Sequence, residues 1–242
     1  MIQVRRSEER GHADHGWLDT YHTFSFANYY DPEWLQFGPL RVLNQDRVEA
    51  GRGFGTHGHR DMEIVSVVLD GVMEHKDDAG NGSQLRPGDV QLMSAGGGIN
   101  HSEFNASSTD PLHFLQMWVL PQKSGGAPRY EQKHFSIEER TNTLRLAASP
   151  DGADGSLTIG QDVRLYTGLI HPEHDAELSL NAGRAAWLHV ASGSIDLNGK
   201  HLRAGDGAAI VDESTIRVAG REDGESPGEL VLWEIAKPAA AG

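Results

Sequence analysis

The sequence predicts an all-β protein, a sandwich or barrel made of two similar domains, and three observations carry that reading. Short alternating runs recur along the chain, among them MEIVSVVL, VQLMSA, LHFLQMWVL, AWLHVAS and LVLWEI, with glycine and proline between them. No segment sustains a long helical period. A strand, a glycine turn, a strand, a loop and another strand also occur twice in the same order. The first copy is VVLDGVMEHKDDAGNGSQLRPGDVQLMSAG and the second is LHVASGSIDLNGKHLRAGDGAAIVDES, with Gly71 matching Gly193 and Pro87-Gly88-Asp89 matching Ala204-Gly205-Asp206.

Composition bounds the function. The chain has 242 residues, 38% of them hydrophobic, enough for a real core. Lys+Arg total 21 against Asp+Glu 35, a formal charge of -14, which opposes binding to a phosphate backbone or to anionic lipid. Direct nucleic-acid and membrane partners are therefore not expected. No apolar stretch approaches 18 residues and MIQVRRSEERGHADHG lacks a signal-peptide core, so the expected location is cytoplasmic. The absence of cysteine removes disulfides, thiolate ligands and cysteine nucleophiles, leaving imidazole and carboxylate for any metal.

Along the chain, PEWL and SIEERT each read as the start of a short helix, and the tail KPAAAG as frayed. The chemistry begins at GFGTHGHRDMEIVSVVLDG, where His57 and His59 lie two residues apart. A strand projects both from one face, roughly 7 Å apart, a spacing that suits two ligands of one ion. After Pro87-Gly88-Asp89 the chain reads VQLMSAGGGINHSEFN, and His101 and Glu103 form a second pair with the same spacing. The glycines at 96, 97 and 98 let the chain turn sharply and re-aim the strand that carries His101. His57, His59, His101 and Glu103 are thus a candidate set of three imidazoles and one carboxylate. Glu63 has the right parity to be the carboxylate instead, but on a straight strand it lies roughly 13 Å past His59.

Of the other histidines, His12, His15, His134, His171, His174 and His201 fall in polar, loop-like stretches and read as solvated. His113 either lines the pocket or faces out, since alternation without a register does not fix its side. His22 has similar standing, and His75 and His189 are strand positions without an assigned role. Residues 135 to 155, with Asn142, Pro150, Gly152 and Gly155, read as the link, dividing the chain into an N-terminal metal-binding domain, 1–140, and a C-terminal domain, 141–242. Counting from the glycine turns, the second-half equivalents of the four ligands are Ser179, Asn181, Val218 and Gly220, so the C-terminal domain is expected to hold no metal.

The glycine followed by HxH, then Glu63, later PGD and MSAGGGINHSE, resembles the cupin motifs in the form found in the pirin family, specifically its bacterial pirin-like branch. GWLDTYHTFSFANYYDP resembles that branch too. The resemblance implies a bicupin, two jelly-roll-like β-barrels in one chain, with iron in the N-terminal barrel. It also implies the quercetin 2,3-dioxygenase activity reported for some members, and it includes an animal member regarded as an iron-dependent transcription cofactor. The pirin-like pattern takes its carboxylate ligand from HSE, which favours Glu103 over Glu63, as the spacing does.

Such a ligand set suits one first-row divalent ion. The resemblance points to Fe(II), while affinity alone equally admits Ni, Cu, Zn, Mn or Co. The expected function is an iron(II) dioxygenase that cleaves a flavonol or related enol with O2, Glu103 serving as the catalytic base. The alternative is a non-catalytic, metal-dependent module acting through a protein partner.

Overall fold

The computed structural model describes residues 1–221 and 226–238, so of the tail Lys237–Gly242 all but its first two residues lie outside the described residues. Two compact units emerge. One comprises residues 11–134 with 157–161, and the other residues 1–10, 135–156 and 162–242.

In the first unit, a large antiparallel sheet runs in the order Arg129–His134, Asp89–Ser94, Glu63–Asp70, Leu112–Val119, Leu40–Val48, Leu18–His22, Gly11–Asp14. A four-stranded sheet runs Gly53–His59, Ile99–Asn105, Met73–Asp77, Gly82–Leu85. The second unit repeats the plan. Its large sheet contains Ile2–Arg5, Gly207–Val211, Arg184–Ser192, Gly228–Ala236, Val163–Ile170 and Arg145–Ser149 in that order, and its four-stranded sheet Asp175–Ser179, Thr215–Gly220, Ser194–Leu197, Lys200–Arg203. The fold is all-β and duplicated, as the repeat predicts.

The glycine turns carry the same duty in both copies. Gly71 and Gly193 hold φ of 81° and 68°, a region that favours glycine. A Cβ on Gly71 would stand 2.6 Å from the Pro111 carbonyl oxygen, and one on Gly193 2.4 Å from that of Pro227. Those two prolines each introduce the strand that pairs with the one before the turn. The aspartates of the two Gly-Asp corners are matched as well. Asp89 accepts from the Arg86 N–H and meets His134, while Asp206 accepts from the Arg203 N–H and meets Arg6.

The sequence-based division at 140 and 141 departs from these units in three places. Residues 1–10 belong with the C-terminal unit, because Ile2–Arg5 completes its large sheet against Gly207–Val211. Residues 135–155, expected as a link, are structured and lie within the C-terminal unit: the Ser136 hydroxyl caps the helical turn Ile137–Arg140, and Arg145–Ser149 is a strand. Residues 157–161 join the N-terminal unit. PEWL forms a turn rather than a helix, closed by the Trp34 N–H donating to the Asp31 carbonyl.

The interiors differ in polarity. Along Glu63–Asp70 the side chains of Ile64, Ser66 and Val68 share one face, and opposite them on Leu112–Val119 stand Trp118, Gln116 and Phe114. Val68 and Phe114 belong to one apolar cluster and Ile64 to another, packed by Trp118, so a polar layer lies between two apolar ones. Leu188 precedes Gly193 by the same five residues as Ser66 precedes Gly71, and Leu232 follows Pro227 as Gln116 follows Pro111. The Ser66–Gln116 pair is therefore a Leu188–Leu232 pair in the second unit, where the cluster is aliphatic throughout.

Candidate metal centre

His57, His59 and His101 converge because two neighbouring strands of the small sheet pair in register, His101 opposite His57 and Ile99 opposite His59. The register then shifts between His101 and Glu103, so that Glu103 lies opposite Phe54. That bulge is where His57 is anchored: its Nδ1–H donates to the Gly55 carbonyl at 2.8 Å, which leaves Nε2 as a lone pair. Gly96, with φ of 51° and its carbonyl accepting from the Asp61 N–H at 2.9 Å, turns the chain ahead of His101.

The three rings stand 4.8 Å (57 to 59), 4.5 Å (57 to 101) and 4.9 Å (59 to 101) apart between centroids, and one nitrogen from each lies within 4.8 Å of the others. Desolvation by burial, with His57 beside it, lowers the pKa of His59 to about 4, and desolvation with the neighbouring imidazoles lowers that of His101 to about 3. Both are neutral at pH 7, the state that ligates. Nε2 of His59 and Nε2 of His101 are buried without a hydrogen-bond partner. Two such orphans cost about 1–3 kcal/mol each, and a cation between the rings relieves both. The residues present fit a divalent ion.

Glu103 is 2% exposed and sits one step aside. Its carboxylate groups with His75 and His101, not with all three rings above, so His101 is shared by two overlapping sets. It accepts from the Ser66 hydroxyl at 3.3 Å and from the Gln116 amide at 2.6 Å, while the Gln116 carbonyl accepts from the Trp118 indole at 3.3 Å. Burial raises its pKa despite those donors. Asp46, buried opposite Phe114 and bonded to Thr20, is pushed up to about 7, chiefly by burial and further by Glu103.

Glu63 lies elsewhere. A turn at Asp61, φ 51°, breaks the strand after His59, and Glu63 begins the large sheet on the face opposite Ser66. There it accepts from the Ser94 hydroxyl at 2.7 Å and the Gly160 N–H at 3.1 Å. His113 shares its face with Leu115 and Met117, away from Gln116, and meets Gln45. His22 faces the interior, its ring 5.1 Å from Phe26, which stands 5.4 Å from Trp118, itself 4.9 Å from His59. His22 is not in either group of possible ligands. His12 pairs with Asp19 at 2.6 Å on an exposed strand, and His134 pairs with Asp89.

Sequence reasoning missed His75, Ser66, Gln116 and Trp118. Each reaches the site through cross-strand register, of which a single sequence carries no signal. In the second unit, Ala176 opposes Val218 and Leu178 opposes Ile216, as His57 opposes His101 and His59 opposes Ile99. Val218 is the position expected from the count. Ser179 and Asn181 are not the matching positions, because three more residues separate Ala176 from Gly193 than would carry the count from His57 to Gly71.

The N-terminal portion, residues 3–119, matches the Pirin family, and residues 146–226 match the Quercetinase C-terminal cupin domain. A quercetin 2,3-dioxygenase of Escherichia coli K12 is 48% identical over 235 residues, covering 97% of this chain and 99% of that one. The chain belongs to the pirin family. A pirin-like protein of Caulobacter vibrioides is 40% identical, covering 98% of this chain and 100% of its own. Among solved pirin-family structures, YhhW from Escherichia coli superposes with a TM-score of 0.92 at 45% identity, covering both chains fully. A structure of bacterial pirin YhhW in complex with nickel(II) superposes with a TM-score of 0.91, covering 98% of this chain and 100% of that one.

Proposed function

We propose that this pirin-family protein is a dioxygenase that cleaves a flavonol or related enol with O2, using one divalent ion, iron(II), held by His57, His59 and His101 with Glu103 as the fourth ligand. The observation that carries this reading is the convergence of three imidazoles, two with buried unpartnered nitrogens, beside a buried carboxylate. The names of the relatives from Escherichia coli support the reaction, and the nickel complex of YhhW supports a divalent ion.

When bound, such an ion supplies a Lewis acid that acidifies a coordinated enol and the redox partner that O2 requires. The protein's part is positional. Glu103, its pKa raised by burial, takes the enol proton, and the Ser66 hydroxyl and Gln116 amide hold its oxygens in place. Trp118, edge-on to His59, and Phe26, edge-on to Trp118, offer a planar substrate an apolar wall and keep water from the imidazoles.

Anaerobic reconstitution with iron(II), followed by oxygen uptake with flavonols, catechols and simple enols, tests the reading. One ion per chain and uptake with a flavonol are expected. One ion per chain with no uptake on any compound replaces the enzyme with a metal-dependent module acting on a protein partner.

A further inference from the structure

The donor and acceptor roles around His101 form a chain that can be solved from both ends. At one end, the Asp77 side chain is covered and its carboxylate accepts from the Asn81 backbone N–H at 2.9 Å and side-chain amide at 2.8 and 3.1 Å. Burial pushes the Asp77 carboxyl up, but the bonds from Asn81 and His75 outweigh it and hold the pKa below its ordinary value. An ionised carboxylate only accepts, so His75 Nε2, 3.3 Å away, carries a proton and donates. At the other end, His101 presents Nδ1 to His75 Nδ1 at 3.4 Å, while its Nε2 is buried without a partner. If His101 Nε2 is the lone pair that binds the ion, its Nδ1 carries the proton and donates to His75 Nδ1. Both ends give His75 the same tautomer: proton on Nε2, lone pair on Nδ1.

The ring of His75 is fixed for that duty. It is 0% exposed and stacks on Tyr130 with centroids 4.8 Å apart and planes 24° from parallel. The Tyr130 hydroxyl is tied to Ser83, Gln91 and Gln132. A polar ring buried at this depth is costly unless both nitrogens are satisfied, and the arrangement satisfies both.

We infer that His75, backed by Asp77, is a positioning residue that sets the tautomer and ring angle of His101 through an Asp77–His75–His101 relay. This rests on the metal reading of the preceding section. The relay is one imidazole longer than the usual carboxylate behind a metal-bound histidine, and loss of such a backing partner typically costs 10- to 100-fold in metal affinity.

The experiment uses the full chain, titrated with nickel(II), with zinc(II) as a diamagnetic substitute for nitrogen-15 NMR of the histidine rings. His75→Phe keeps the stack on Tyr130 and removes the acceptor, and should weaken nickel about 10- to 100-fold at unchanged stoichiometry. His75→Asn places an amide oxygen near the lost Nδ1 and should recover most of that affinity. In the zinc-loaded wild type, His101 should show a protonated Nδ1 and a coordinated Nε2, a readout that needs no variant to fold. Wild type that fails to bind nickel overturns the metal reading itself. Wild type that binds while His75→Phe binds equally well, or coordinates through His101 Nδ1, overturns only the relay. Two ions per chain, one lost with His75→Phe, would overturn it too, since His75, His101 and Glu103 would then be a second site.

Discussion

Glu103 combines two demands that pull its proton affinity in opposite directions. Burial favours the neutral acid, while the Ser66 and Gln116 donors favour the anion that a ligand or base must be. Glu103→Gln should therefore leave nickel or iron(II) bound by the three imidazoles and reduce flavonol-dependent oxygen uptake about 10²- to 10⁴-fold. Glu63→Gln should alter neither, costing about 1 kcal/mol of stability through one weakened hydrogen bond. Metal lost in Glu63→Gln but kept in Glu103→Gln would reverse the assignment. Asp46 gives a separate test. Its pKa rises on folding from 3.8 to about 7, so the folded state holds the proton more tightly. Its stabilising contribution is complete below pH 3.8 and is lost as pH rises through about 7, by about 1.4 kcal/mol per unit in between. Urea unfolding of the metal-free protein at pH 5 and pH 8 should show Asp46→Asn gaining on wild type at the higher pH. Parallel behaviour of the two proteins would mean that Asp46 is not buried as an acid.

At the scale of elements, the paired glycine turns are exacting sites. A side chain at Gly71 or Gly193 meets a proline carbonyl oxygen inside 3 Å, and the backbone is left-handed as well. Gly71→Ala and Gly193→Ala should each cost about 2–4 kcal/mol, from the backbone penalty plus forced displacement of the neighbour, seen as a drop in thermal midpoint. A shift within error at either would show that the turn adapts. These same glycines made the duplication legible, because positive φ restricts the residue type and so leaves a mark in the sequence. The imidazole pairs were legible for a similar reason: residues two apart on a strand share a face whatever the register. His75 was not, since its meeting with His101 and Glu103 depends on how Met73–Asp77 lies against Ile99–Asn105. The stretch 135–155 misled for the converse reason. Its Gly, Asn and Pro serve tight turns inside a packed unit, yet they resemble the composition of a connector.

For the whole molecule, one plan carries two interiors. The layer that holds Ser66 and Gln116 in one unit holds Leu188 and Leu232 in the other, and imidazole positions become Ala176, Leu178 and Val218. Residues 2–10 tie into the aliphatic unit through the pairing of Ile2–Arg5 and through Arg6 and Ser7 on the buried Asp206 carboxylate. Deleting them removes a strand and strips partners from a buried charge, a loss of about 3–5 kcal/mol on that account alone. The truncated protein should unfold at a lower urea concentration while still binding one nickel ion per chain. An unchanged midpoint would show that the N-terminal strand is dispensable.

The place of that strand also bears on how the protein is made. Ile2 pairs with Ile210, which leaves the ribosome 208 residues later. At about 5–20 residues per second, the strand Ile2–Arg5 waits about 10–40 s for its partner. Residues 11–134 and 157–161 are all made before Ile210, so their unit can close around its histidines while Ile2 and Val4 remain an unpaired, apolar edge. The histidine-bearing unit can thus mature during translation, while a segment made before it is among the last to find its place.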